Sequence, residues 1–499
     1  MNDESSIVSK VWNLANVLLD DGVSYGDYLE QLTYLLFLKM VEEFAKPPYN
    51  REIAVPEGFT WNDLKSRRGT ELESHYAKTL RELGGTGGIL GQIFTKSQNK
   101  IQDPAKLYKV IDMVDKEQWS MMGSDLKGKI YEGLLEKNAR DTRSGAGQYF
   151  TPRTLIQAMV QCVRPQPNKI VADPACGTGG FFLAAYDFIT AEYNLDLEQK
   201  KFLKNKTFFG NEIVANTRRL CLMNMFLHNI GDIDGESLVS STDALVADDG
   251  RRADYVMANP PFGKKSSMTF TNEAGEQEKE SLVYNRQDFW ATTSNKQLNF
   301  LQHIRTLLKV NGEAAVVMPD NVLFEGGAGE TVRKELLRST DLHTILRLPT
   351  GIFYAHGVKA NVLFFDNKPA SPDPWTKEVW IYDYRTNIHH TLKKKPMRLA
   401  DLEDFIHCYN PANRHQRKEI WSEENPDGRW RKFTYEEVVA RDKTNLDIFW
   451  LKDDTLTDLD NLPDPDILAG EIIDNIEAGL ASFREIVDIV GGGGDVKNR

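Results

Sequence analysis

Asn259-Pro260-Pro261-Phe262 directly follows the apolar run Asp254-Tyr255-Val256-Met257-Ala258. Such a run, ending in Asn-Pro-Pro-aromatic, reads as the tip of a buried parallel strand, where the active-site loops of open α/β sheets sit. The tetrapeptide suits one chemical problem, the alkylation of a planar amino nitrogen. That nitrogen is a poor nucleophile because its lone pair is delocalised into a ring. Two acceptors gripping its hydrogens push it towards tetrahedral geometry and free the lone pair. The Asn259 side-chain oxygen and the Pro260 carbonyl are candidates for those acceptors. The prolines stiffen the loop and carry no backbone N–H to compete. Phe262 offers a face for a heterocycle. A proline turn after a buried strand is the plainer reading, so the surrounding strings have to decide.

Asp173-Pro174-Ala175-Cys176-Gly177-Thr178-Gly179-Gly180-Phe181 follows a second predicted strand and opens a helix. Gly177, Gly179 and Gly180 allow a ligand to approach the backbone closely. The G-x-G-x-x-G spacing that cradles a pyrophosphate is absent. A cofactor without phosphates fits better, and S-adenosylmethionine has none. Glu212, after Phe208-Phe209-Gly210-Asn211, stands where an acid at the next strand tip holds ribose hydroxyls. Asp243, at a third tip, can accept a hydrogen bond from an adenine amino group. Cys176 reads as a small packing residue.

Upstream lies Gly147-Gln148-Tyr149-Phe150-Thr151-Pro152-Arg153. Thr151 as N-cap and Pro152 at the first helical position predict a helix start. Its free amides suit a carboxylate, for which the cofactor's methionine end is a candidate. Tyr149 or Phe150 could cover the adenine or the sulfonium.

The elements that must position these strings change character along the chain. Up to about residue 140 the apolar positions Trp12, Leu14, Val17, Leu18, Leu32, Leu35, Leu36 and Met40 recur at helical spacing. Gly84–Gly88 reads as a flexible turn or as a glycine loop that could close over a ligand. From about 145, short apolar runs alternate with amphipathic segments, the α/β pattern. Strands are predicted at Lys169–Asp173, Thr207–Gly210, Asp254–Ala258, Ala314–Met318, His343–Leu348 and Asn361–Asp366. Beyond Asp453, Ile473, Ile476, Leu480, Phe483, Val487 and Val490 form a seam that implies packing on another helix, either a partner's or this chain's own. The expected division is 1–140 helical, 141–452 α/β and 453–499 a C-terminal helical tail.

At 499 residues the chain is too long for one ordinary core. No apolar run is long enough to span a bilayer. The first residues are not those of a signal peptide. Cys162, Cys176, Cys221 and Cys408 are scattered, which argues against a zinc site or a disulfide framework and for a cytoplasmic protein. The net charge of −12 is the wrong sign for gripping duplex phosphates. If nucleic acid is the substrate, a local basic surface and a partner must supply the grip. Candidates are Lys264-Lys265, Lys393-Lys394-Lys395, Arg414 and Arg417-Lys418.

Taken together, Gly147–Arg153, Asp173–Gly180 and Asn259–Phe262, in that order, resemble the DNA adenine-N6 methyltransferases in which cofactor motifs precede the catalytic one. More narrowly, the chain resembles the modification subunit of type I restriction–modification systems. Leu348–Phe365, Thr444–Trp450 and the helical start at Asp27–Met40 are similar to that family too. The resemblance implies a Rossmann-like methyltransferase sheet with an N-terminal helical domain, and S-adenosylmethionine as methyl donor. It implies a flipped adenine stacked on Phe262 and gripped by Asn259 and Pro260. It also implies a specificity subunit that reads DNA and joins two copies of this chain, with a restriction subunit able to add. Tyr354, His356 and Lys359 lie on the family-like loop. The competing classes are a glutamine-amide methyltransferase of proteins and a non-catalytic adaptor that keeps the fold for assembly only; a cytosine-N4 DNA methyltransferase is the finer alternative within the same chemistry.

Overall fold

The computed structural model describes residues 22–47, 55–120, 150–232, 235–262, 267–271, 277–281, 283–353, 358–392 and 395–453, with isolated positions 11, 13, 15, 17, 18, 50, 133 and 476. Gln148, Tyr149, Lys264, Lys265, Tyr354, His356, Lys393, Lys394, Trp12 and Leu14 lie outside them. So does the C-terminal seam, apart from Ile476.

Among the described residues the N-terminal part contains the helices α1 Tyr25–Phe44, α2 Trp61–Lys65, α3 Gly69–Gly84, α4 Gly88–Phe94 and α5 Pro104–Asp115. The Ser24 side chain starts α1 by accepting the Asp27 amide. Leu32, Leu35, Leu36 and Met40 are buried as their spacing predicts, whereas Val17 is exposed. The glycine run is a close corner rather than a loose turn. A Cβ on Gly84 would lie 2.6 Å from the Phe94 carbonyl oxygen, so only glycine lets α3 and α4 meet there.

The α/β part begins with α6 Arg153–Val163 and β1 Val171–Asp173. Helices α7 Gly180–Glu192 and α8 Leu197–Asn205 lead to β2 Phe208–Asn211. Next come α9 Ala215–Leu227, β3 Val239–Ser240 and β4 Ala253–Ala258. A separate antiparallel pair, β5 Ser267–Thr271 and β6 Gln277–Ser281, follows. Then α10 Lys296–Leu307 precedes β7 Leu308–Pro319, β8 Thr340–Arg347, β9 Ala360–Asn367, β10 Glu378–Asp383 and β11 Trp430–Thr434.

Nine strands form one sheet in the order β11-β10-β8-β9-β7-β4-β1-β2-β3. β4 runs parallel to both β1 and β7, while β9 inserts antiparallel between β7 and β8. Alternate residues face opposite layers, as the pleat requires. Met257, Ala315 and Val317 enter one core, and Val256, Ala258, Ala314 and Val316 the other. With both faces covered, these strands read as continuous apolar runs.

Several boundaries differ from the sequence reading. The first strand starts at Val171, because the Ile170 amide bonds to the Asp254 side chain instead of a ladder carbonyl. β7 starts at Leu308 and carries an irregularity where Asn311 has φ +61°. The third strand tip expected before Asp243 is β3, only two residues long, too few to leave a pattern of its own, whereas β10 and β11 were not foreseen.

The helical part and the sheet share one core. Arg219 of α9 bonds to Glu30 and, at 2.6 Å, to the Thr95 carbonyl, and lies over the Tyr34 ring. Phe226 packs against Phe37 and Phe44.

Candidate active site

From β1 the chain builds one side of the sheet through β2 and β3, then returns through β4 to build the other. That reversal opens a crevice beyond the carboxyl ends of β1 and β4. The glycine loop fills the β1 side and Asn259–Phe262 the β4 side. Both contribute to the wall of a cavity of about 490 Å³, the size of a small-molecule site.

The glycine loop is held by one bond of its own and by two from β2 and α9. The Cys176 amide donates to the Asn211 carbonyl at 3.0 Å, and the Gly179 amide to the Cys176 carbonyl at 2.8 Å. Asn224 Nδ2 holds the Thr178 carbonyl at 2.9 Å. Gly177 and Gly179 have φ of +54° and +83°, the left-handed region that favours glycine. Gly177, Thr178 and Gly180 line the cavity; Gly179 does not, because the position of its Cβ faces the Cys221 sulfur at 3.0 Å. Arg153 lines it too and bonds to the Gly180 carbonyl at 3.2 Å.

Three acids share this cavity. Asp173 is buried and accepts the Ala175 amide at 2.9 Å. Burial, with the Glu212 charge nearby, pushes its carboxyl up to about 8 against the pull of that amide. Glu212 is half-buried and takes the Val214 amide at 2.7 Å. Burial raises its carboxyl as well, while the Val214 and Gly177 amides and Arg218 oppose the shift. Asp243 accepts the Tyr284 hydroxyl and the Leu245 amide, both at 2.9 Å.

Thr151 corrects the sequence reading. Helix α6 starts at Arg153, and Pro152, extended at φ −54° and ψ 132°, takes the N-cap position without a side-chain cap. The Thr151 hydroxyl instead accepts a 2.8 Å hydrogen bond from Asn259 Nδ2. That bond turns the Asn259 amide so that its oxygen faces away from Thr151. Phe150, Thr151, Asn259 and Pro261 line the cavity, whereas Pro152, Pro260 and Phe262 do not. The half-buried Phe262 ring meets Phe353 edge-on, with centroids 5.8 Å apart and planes at 78°. The aromatic platform is therefore a separate wall beside the cavity.

Phe353 lies on the segment between β8 and β9, whose two ends are clamped by one residue. Arg385 bonds to the carbonyls of Leu348 (2.8 Å) and Ala360 (2.9 Å) and takes Asp320 in a two-pronged ion pair. Reasoning from sequence did not single out Arg385 or Phe353, nor the cavity residues Ile213, Val214, Lys296 and Phe300. Ile213 and Val214 did leave a signal. They are exposed aliphatics directly after the strand-tip acid, which suits an apolar wall for a ring. Lys296 and Phe300 left none, since α10 reaches the cavity only through the fold.

Two of the basic candidates have structural work. Arg414 pairs with Asp366 at 2.8 Å. Arg417 bonds to the Tyr409 carbonyl at 2.7 Å and packs over the rings of Tyr409 and Trp430. Both guanidinium groups are thus engaged within the fold.

Residues 122–449 match the N-6 DNA Methylase family, and residues 7–114 match the HsdM N-terminal domain. The type I restriction enzyme StySJI methylase subunit of Salmonella typhimurium LT2 is 39% identical, with 98% of this chain and 96% of the relative covered. The EcoKI methylase subunit of Escherichia coli K12 has the same identity and coverage. The crystal structure of the EcoKI M protein aligns over 97% of this chain and 96% of that one, with a TM-score of 0.53 and 35% identity. A type I methyltransferase subunit from Streptococcus thermophilus shares the fold, with a TM-score of 0.66 at 20% identity over 89% and 98%.

Proposed function

Because this chain belongs to the N-6 DNA methylase family, among the methylase subunits of type I restriction enzymes, we propose that it methylates the N6 amino group of adenine in DNA with S-adenosylmethionine as donor. The observation that carries this reading is the pairing of Asn259 with Thr151 at the rim of a cavity lined by the glycine loop and three acids. The family match argues against the glutamine-amide alternative.

The cavity residues fit the cofactor. Asp173 is a buried carboxyl without a salt bridge among the described residues, a suitable partner for an amino-acid ammonium. Glu212 at the strand tip suits ribose hydroxyls, with Ile213 and Phe300 as apolar walls and Asp243 as acceptor for an adenine amino group. Gly177, Thr178, Gly180 and Arg153 shape the backbone side, and Phe150 covers the front. Gln148 and Tyr149 join this set on the family resemblance alone. The bound cofactor supplies an electrophilic methyl group on a positively charged sulfur.

This chain's own residues then orient the acceptor. The flipped adenine lies against Phe262, whose ring Phe353 holds edge-on. The Asn259 oxygen and the Pro260 carbonyl accept hydrogen bonds from its amino group. With the amino group so held, positioning carries much of the rate. Pro261 keeps the loop rigid. The division into 1–140, 141–452 and 453–499 assigns the first part to assembly, the second to chemistry and the last to docking on a specificity subunit. Two copies of this chain join one such subunit, and a restriction subunit can add to the complex.

The test is methyl transfer from labelled S-adenosylmethionine to DNA, with and without the specificity partner, followed by nucleoside analysis. N6-methyladenine that appears with the partner and disappears in Asn259→Ala is the expected result. Label in N4-methylcytosine or in protein would overturn the assignment.

A further inference from the structure

Three sulfur atoms lie in a chain of contacts behind the glycine loop, with Cys221 in the middle. Cys221 and Met225 stand four residues apart on α9 and so share one face, with Cys221 Sγ 3.8 Å from Met225 Sδ. Cys176 brings its Sγ to 3.9 Å from the same Cys221 sulfur. All three side chains are buried. Neither thiol has a part in the methyl transfer described above. A trigonal ion with metal–sulfur bonds of about 2.3 Å holds its sulfurs about 4.0 Å apart. The two separations through Cys221 match two edges of that triangle, and the third edge, Cys176 to Met225, closes on the bound ion. Two thiols and a thioether form a soft donor set, which selects monovalent copper over magnesium or calcium. Cys176 is in the cavity wall, so the cavity provides a route inward.

We propose that Cys176, Cys221 and Met225 form a binding site for a soft monovalent cation, copper(I) or silver(I). On binding, two S–H bonds break and two protons leave to solvent. Two metal–thiolate bonds form, and the Met225 thioether adds a neutral third bond. No oxidation state changes. Because protons are released, affinity rises with pH. The bound ion ties the glycine loop to α9. The site stands on the sulfur geometry and does not depend on which cofactor the cavity takes.

The experiment is an anaerobic titration of the full chain with copper(I), buffered by a chromophoric copper(I) chelator. One copper per chain is expected, with X-ray absorption showing three sulfurs at about 2.3 Å. Cys176→Ser and Cys221→Ser should abolish uptake while circular dichroism confirms the fold. Met225→Leu should weaken it at least roughly tenfold. Unchanged affinity in the double serine variant, or no uptake by the folded wild type, would overturn the site. A two-sulfur spectrum indifferent to Met225→Leu would overturn the three-sulfur geometry. If the serine variants fail to fold, silver(I) on wild type replaces them. One equivalent should shield Cys176 and Cys221 together from alkylation, read by peptide mass spectrometry. Shielding of Cys162 or Cys408 instead would refute the proposal.

Discussion

Asp173 closes β1 and Asp320 follows β7, so both acids stand at strand ends of one sheet. Asp320 is gripped by both prongs of Arg385, at 2.5 and 2.8 Å, and by the Asn361 amide at 2.8 Å. Burial pulls its carboxyl upward, but those partners outweigh it and hold the group below the usual carboxylate range. Among the described residues Asp173 accepts the Ala175 amide and forms no salt bridge, and burial takes its carboxyl up to about 8. The same division runs through the rest of the sheet. On the β7–β11 side, Glu313, His343 and Asp366 converge as metal ligands would. The Arg414 guanidinium acts as the cation among them, bonded to Asp366 and His343 and 3.7 Å from Glu313. On the β1–β4 side the acids meet a cavity. Asp320, held by an arginine, is part of the architecture, whereas Asp173, facing the cavity, is a candidate partner for a cationic ligand.

Removing one member of an architectural pair tests this contrast most severely. Arg385→Ala leaves the Asp320 carboxylate without its guanidinium and the ends of the Leu348–Ala360 segment unclamped. It should cost about 3 kcal/mol of stability, measured by urea denaturation. A loss below 1 kcal/mol, by the same conversion, would mean that water replaces the arginine.

On the site side, stability and activity should separate. Asn259→Ala should lower methyl transfer roughly 10²–10³-fold, while its urea midpoint stays near that of wild type. Equal damage to both would place Asn259 with the architecture.

Asp173 predicts a pH signature. The unfolded carboxyl ionises near pH 4, the folded one at about 8. Between those values the folded chain holds the extra proton, so stability falls as pH rises through the window. A cationic ligand favours the ionised form, so cofactor affinity should fall as pH drops below 8, by up to about tenfold per unit. Calorimetric titration at pH 6, 7 and 8 should show that slope in wild type and none in Asp173→Asn. Parallel slopes in the two proteins would remove Asp173 from cofactor binding.

The smallest effect belongs to Thr151→Val, which deletes the acceptor that orients Asn259. A lost hydrogen bond of about 1 kcal/mol should appear as a roughly fivefold fall in kcat with the cofactor KM unchanged. A change confined to KM would restore Thr151 to a cofactor role.

Much of this was legible in the chain. Asn259–Phe262 and Asp173–Gly180 each join a short strand to a loop of defined backbone geometry, and such units carry their meaning in adjacent residues. The burial of Leu32, Leu35, Leu36 and Met40 followed from spacing alone. Thr151 was misread for a specific reason. Threonine before proline satisfies every local rule for a cap, but the competing partner, Asn259, stands 108 positions away.

The sequence by itself determined the class of chemistry, the order of the motifs and the family, because these depend on residue types in contiguous strings. Only the tertiary structure decided which strings share a cavity and which charges are already spent. It placed Asn259 on Thr151, left Asp173 without a counterion among the described residues and used Arg414 to fill an apparent metal site. It also brought Lys296 and Phe300 to the cavity wall and Cys176 beside Cys221. The physical reason is the strand order. The reversal between β1 and β4 and the antiparallel β9 inserted between β7 and β8 bring distant residues together, and hydrophobic periodicity along the chain says nothing about which strands become neighbours.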